Sequence, residues 1–153
     1  MATFSWMRLW AQETSGSGLA ISGFTRATGY IGISDHQDPA LKSLYSETAI
    51  KLKAHTGQWG QAFTDVRLRT GNEFGADFTT VDVREAYLDL YFGAVSLRVG
   101  KQISPWGRAD GWNPTDNLTP SDYFVRSPDP DDMRLGNYRI RGQYSPVDWL
   151  KLE

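Results

Sequence analysis

The sequence predicts an all-β chain, the wall of an antiparallel up-and-down transmembrane β-barrel, and three observations carry that expectation. Four segments alternate apolar and polar side chains with period two. In the clearest, Ala94 to Gln102, Val95, Leu97 and Val99 share one face while Ser96, Arg98 and Gln102 share the other. The connections between these segments swing between very short and very long, as in barrels with tight periplasmic turns and larger external loops. Finally, no apolar run approaches the ~20 residues of a membrane helix. A mean hydropathy of −0.46 with 22% charged residues excludes a helical membrane protein but not half-polar spanning strands.

Length and composition bound the rest. A large barrel pore needs roughly twice these 153 residues, since each spanning strand takes about 9–11 plus a connection. The chain therefore reads as about seven N-terminal strands of a larger barrel. Six Trp and seven Tyr exceed what a small soluble core requires, and amphipathic rings suit the two membrane interfaces. The absence of cysteine removes disulfides, thiolate-bound zinc and thiol catalysis together. A net charge of −2 gives no footprint for nucleic acid, so that partner class is set aside. Residues 1–17 hold an apolar stretch with one Arg, a small residue at Ala11 and then a polar run, which suits a signal remnant or a disordered N-terminal tail. Residues 18–153 are expected to form the N-terminal part of a single β-barrel domain.

The strands follow in order. Gly18 to Ile33 alternates weakly through Leu19, Ile21, Phe24 and Tyr30, and a polar turn region follows at Asp35 to Pro39. In Glu47 to His55, Thr48, Ile50, Leu52 and Ala54 oppose Glu47, Lys51, Lys53 and His55. A tight turn at Gly57 to Gly60 leads to a third strand with Val66 and Leu68 opposite Asp65, Arg67 and Arg69. Gly71 to Gly75 is expected to open a longer connection. In the fourth strand Ala86, Leu88, Leu90 and Phe92 oppose Glu85, Tyr87, Asp89 and Tyr91, yet Val81 and Val83 fall on the Glu85 parity. That phase slip predicts a β-bulge, or a strand start beyond the bilayer. The fifth strand runs to about Ser104, and the segment 106–134, with four prolines, is too long and proline-rich for another. A sixth strand spans Asn137 to Tyr144, and Trp149 to Glu153 begins a seventh.

If the apolar parity faces lipid, the polar parity faces a lumen. Its cations are Lys51, Lys53, Arg67, Arg69, Arg98, Arg139 and Arg141, against Glu47, Asp65, Glu85 and Asp89. Rows of cations in a narrow bore raise local anion concentration and disfavour cations. The competing reading is that these residues form cross-strand ion pairs that fill the wall and select nothing. Loop 106–134 is expected to fold inward as a constriction, with Arg108 and Arg126 among Asp110, Asp116 and Asp122 setting a transverse field; a solvated external loop is the alternative. Asp129, Asp131 and Asp132 lack the ligand spacing of a calcium loop, so no metal site is predicted. Neither a catalytic motif nor a cofactor-binding motif is present, and His36 and His55 are far apart in sequence, so an enzyme is not expected.

Three stretches, Arg84 to Leu90 (R-E-A-Y-L-D-L), Leu97 to Gln102 (L-R-V-G-K-Q) and Trp106 to Asp116 (W-G-R-A-D-G-W-N-P-T-D), resemble bacterial outer-membrane porin-like barrels. The likeness spans about residues 80 to 145 and lies nearest to uncharacterised families related to alginate-export and phosphate-selective porins. It implies a single-chain barrel of many strands in the bacterial outer membrane, a basic lumen, and passive passage or export of small anionic or polar solutes. The partners implied are outer-membrane lipid and such a solute, with a homo-oligomer compatible with both; no cofactor is implied. This chain departs from those families in stopping after roughly seven strands, without their aromatic C-terminal strand. Two rivals stay open: a non-channel barrel binding a surface partner or polysaccharide, and a soluble carbohydrate-binding β-sandwich with Trp106 and Trp112 stacking on sugars.

Overall fold

The computed structural model describes residues 8–9, 18–32, 40–104, 119–123, 127, 129–147 and 150–152, with backbone alone at 8–9, 130 and 151. Their strands form one antiparallel sheet in which every strand pairs with its sequence neighbours. The strands are β1 (Arg8–Leu9), β2 (Gly18–Gly32), β3 (Ala40–Thr56), β4 (Gly60–Glu73), β5 (Ala76–Phe92), β6 (Val95–Gln102), β7 (Asn137–Val147) and β8 (Leu150–Leu152). The order is strictly up and down, and the sheet is open, with β1 and β8 at its edges, rather than closed into a barrel. The expected strand start at Gly18 missed the short pairing of Arg8 and Leu9 with Phe24 and Gly23.

The register puts the two side-chain parities on opposite faces throughout. On one face Ile50 lies beside Val66, Leu88 beside Val99, and Val99 beside Ile140. On the other, Lys51 lies beside Asp65, and Asp89 beside Arg98, itself beside Arg141. The phase slip in β5 is a bulge: Asp65 pairs with Glu85 and Val66 with Val83, so Arg84 is the extra residue. Both Arg84 and Glu85 then sit on the polar face, and Val81 and Val83 rejoin Leu88 on the apolar one.

The sheet is inside out by the standard of a water-soluble domain. Its only buried apolar side chains are Tyr45 and Ala49 among the described residues, whereas the buried polar ones include Arg26, Thr28, Glu47, Asp65, Asp89 and Gln102. The apolar parity is open: Tyr138 is 84% exposed, Ile140 72% and Val81 70%. Monomeric soluble proteins rarely expose contiguous apolar patches larger than a few hundred Å².

One expectation is corrected. Gly71 to Gly75 is not a longer connection, because β4 continues to Glu73 and β5 starts at Ala76, leaving a two-residue turn at Phe74 and Gly75 with φ of 51° and 85°. Both angles are positive, the geometry of the tight hairpin turn that follows strand twist. The hairpin tip carries polar residues on the apolar parity too: Thr70 bonds Thr79 at 2.9 Å and Asn72 bonds Asp77 at 2.8 Å. Alternation therefore ceases there while pairing continues. The connections at the opposite end, 57–59, 93–94 and 148–149, are all short, as expected.

Gly100, in the G-K-Q segment, adopts φ of +134°, and a Cβ placed there would meet the Ala86 carbonyl oxygen at 2.3 Å and Tyr87 Cα at 2.7 Å. Both neighbours are backbone and cannot turn aside. Gly100→Val is expected to cost about 2–5 kcal/mol, from strain plus overpacking. A fall in the urea midpoint of the folded chain would report it, and an unchanged midpoint would show that β6 tolerates a side chain there.

Candidate functional site

The polar face holds three groups of side chains. Near the short-turn end, Asp89 on β5 accepts hydrogen bonds from Arg98 Nε at 2.5 Å and Nη2 at 2.9 Å, and from Gln61 Nε2 at 2.7 Å. The Arg98 guanidinium also lies 4.0 Å from the Tyr87 ring centroid, so its charge is held by a carboxylate and by an aromatic face. A cavity of about 250 Å³ opens here, lined by Tyr91, Ser96, Arg98, Arg141 and Gln143. Near the other end, Tyr30 stacks on Tyr45 with centroids 6.5 Å apart, and Arg69 sits 4.4 Å from the Tyr45 centroid.

The central group is the densest. Glu47 on β3 accepts from Arg26 on β2 at 3.1 and 2.6 Å through Oε2, and from Arg67 on β4 at 2.9 Å through Oε1. Above it lies Asp132, which belongs to no strand. It sits in a 3-10 turn, Pro130–Met133, near the end of the long β6–β7 connection, where Asp129 caps the turn by accepting from the Asp131 N–H at 3.0 Å. Arg67 reaches Asp132 at 2.5 Å and Arg84 at 2.9 Å, and Arg26 and Ser127 also donate to it. The bulge makes this possible, since without the extra residue Arg84 would face the apolar side. Burial alone would raise the Asp132 carboxyl, but hydrogen bonds from Ser127, Arg26 and Arg67 outweigh it and hold the group well below the usual carboxylate range. A depressed value in the folded chain means that this docking stabilises above the ordinary carboxylate range and is lost only as pH falls below it.

All seven predicted lumen cations, Lys51, Lys53, Arg67, Arg69, Arg98, Arg139 and Arg141, stand on this polar face by register. Several of them are engaged. Arg67 and Arg98 are in ion pairs, Lys51 Nζ lies 3.8 Å from Asp65, and Arg139 donates to the Gln102 carbonyl at 3.2 Å. Of the predicted constriction residues, Asp122 lines a cavity of about 260 Å³ beside Asp132, with Arg69 and Arg134. Arg108, Asp110, Asp116 and Arg126 lie outside the described residues, as do Trp106, Trp112 and His36. The described part of the connection returns onto the sheet: Thr119 Oγ1 donates to the Ser104 carbonyl at 2.7 Å, and the Leu135 N–H donates to the Pro120 carbonyl at 2.8 Å.

The sequence reading did not single out Arg26, Arg84 or Asp132 for this cluster. Arg84 stood at the phase slip, which the sequence reads as a β-bulge or a strand start beyond the bilayer; the bulge is what turns Arg84 to the polar face. Arg26 lies in a strand whose glycines and threonines blur the alternation, and Asp132 had been weighed only as a metal ligand. Comparison of the chain with family models, with curated proteins and with solved structures gave no match.

Proposed function

We propose that this chain forms part of the wall of a bacterial outer-membrane β-barrel that passes small anionic or polar solutes along its polar face. One observation carries the reading: paired charges are buried on one face while a continuous apolar band is exposed on the other. In a bilayer both halves of that pattern become favourable, because the band meets hydrocarbon and the charges meet each other and water. Aromatic side chains support the assignment of the boundaries. Trp59, Phe92 and Tyr144 are exposed at the short-turn end, and Phe74 and Tyr138 toward the other, where interfacial girdles sit. Open edges at β1 and β8 would leave backbone groups unpaired in hydrocarbon, so the reading requires further strands, from more chain or from a second copy, to pair them.

The polar face supplies the selectivity. Arg139 and Arg141 stand on the polar face of β7, with Arg141 beside Arg98 in the register and lining the cavity of about 250 Å³. Arg139→Glu with Arg141→Glu is expected to lower the anion-to-cation permeability ratio several-fold in planar bilayers. An unchanged ratio would remove both residues from the conducting path. The density of ion pairs around Glu47 favours a second reading, a barrel whose interior is filled and which serves a surface partner instead. A closed, folded barrel that carries no current would support that one.

A further inference from the structure

We propose that Arg26, Arg67 and Arg84 form a binding site for the carboxylate of a small solute, and that Asp132 occupies this site as a built-in substitute. The inference rests on the reading of the polar face as accessible to solutes, and it names where on that face a solute is held.

Three features carry it. Three guanidiniums from three different strands converge on a single carboxylate, where one would suffice to tie a loop to a sheet. That carboxylate is not part of the sheet, whose ladder from β2 through β7 is complete without it. Withdrawing it would leave three arginines facing Glu47 and the Asp65 that Arg67 shares with Lys51. A group of the same charge and shape would then be required in its place. Room for the rest of such a molecule adjoins the cradle: the cavity of about 260 Å³ is lined by Arg67, Arg69, Arg84, Asp122 and Arg134. Arg69, in the same lining, packs its guanidinium over Tyr45 at 4.4 Å and keeps a second positive charge beside the cradle. The volume suits a small solute rather than a polymer segment.

Binding by this scheme is competitive. Asp132 is tethered, and a tethered group acts at an effective concentration of about millimolar or more. An incoming carboxylate must displace it, so that occupancy by solute and undocking of the 3-10 turn are the same event. The Ser127 hydroxyl, which donates to Asp132, would lose that partner and become accessible.

Two measurements on the full chain in detergent micelles test this, with sodium gluconate as the carboxylate probe, inorganic phosphate as a second anion and sodium chloride at equal ionic strength as the screening control. By calorimetric titration Asp132→Asn is expected to bind gluconate about tenfold more tightly than the native chain, with chloride producing no saturable signal. Equal affinity in both proteins, or no gluconate binding in either, would overturn the proposal. The native chain contains no cysteine, so Ser127→Cys introduces a single thiol. Gluconate is expected to raise its rate of maleimide labelling at least threefold, while a rate that chloride raises equally would show screening and overturn the site. Phosphate acting more strongly than gluconate would overturn the assignment to a carboxylate. Neither measurement needs a conducting pore. Gluconate-dependent labelling without conductance would retain the site and remove the channel, and conductance with gluconate-insensitive labelling would do the reverse.

Discussion

Ile50→Arg is expected to destabilise the folded chain in lipid vesicles by about 2–4 kcal/mol, the cost of an arginine at mid-depth on a lipid-facing strand. Ile50 is 51% exposed and sits between Gly23 on β2 and Val66 on β4, near the middle of the apolar band. In water the same substitution would replace an exposed isoleucine with an exposed arginine, and such surface changes stay within about 0.5 kcal/mol. The two environments thus predict effects that differ by several-fold for one side chain. Urea titration in vesicles reads the difference directly, and a shift within error of zero would mean that this face is not in hydrocarbon. Thr48, two residues earlier on the same face and bonded to Thr25 at 3.2 Å, supplies a position where the polar group is already satisfied by a neighbour.

Glu47→Gln should be the most damaging single change on the opposite face, costing about 3–5 kcal/mol, as expected when one partner of a buried ion pair is removed. Glu47 is 2% exposed and accepts three hydrogen bonds from Arg26 and Arg67. The amide keeps the shape but loses the charge, and one of its two ends becomes a donor facing a donor. Two guanidiniums 10–11% exposed would be left with less counter-charge than they require. Asp132 does not relieve this, since it already serves the same two arginines and Arg84. Thermal or urea unfolding of the variant checks the expectation, and a loss below about 1 kcal/mol would mean that water, not Glu47, solvates the arginines.

Much of the sheet was legible because its two faces differ so strongly in what they touch. Alternation in β3, β5, β6 and β7 marked the strands and their two faces, and the slip at Val81 and Val83 left a bulge or a strand start beyond the bilayer as its causes, of which the fold has the bulge. The tip of the β4–β5 hairpin was misread for the complementary reason. Thr70, Asn72, Asp77 and Thr79 are polar on the parity that is apolar further down, so period two disappears where both faces are wet, although the backbone ladder runs on. Hydrogen bonding of the main chain leaves no trace in side-chain type. Parity alone put the seven candidate cations on one face of the sheet, but their partners were not legible. Arg67 meets Asp132 across 65 positions of sequence through a turn whose sequence, Pro130 to Met133, signals only a loop. Whether a charge is free or paired depends on such long-range contacts, and no local pattern encodes them.

The central claim is that β7 has one face in lipid and one in water, and single-cysteine labelling along this strand tests it most directly. The chain has no native cysteine, and Tyr138, Ile140, Gly142 and Tyr144 alternate with Arg139, Arg141 and Gln143. With cysteine placed at each in turn and the protein reconstituted in vesicles, a water-soluble maleimide should react readily at 139, 141 and 143 and poorly at 138, 140, 142 and 144, even though Tyr138 and Ile140 are the more exposed to the probe in the bare fold. Reactivity that instead follows that bare exposure, highest at 138 and 140, would contradict a lipid-facing band and with it the barrel-wall assignment.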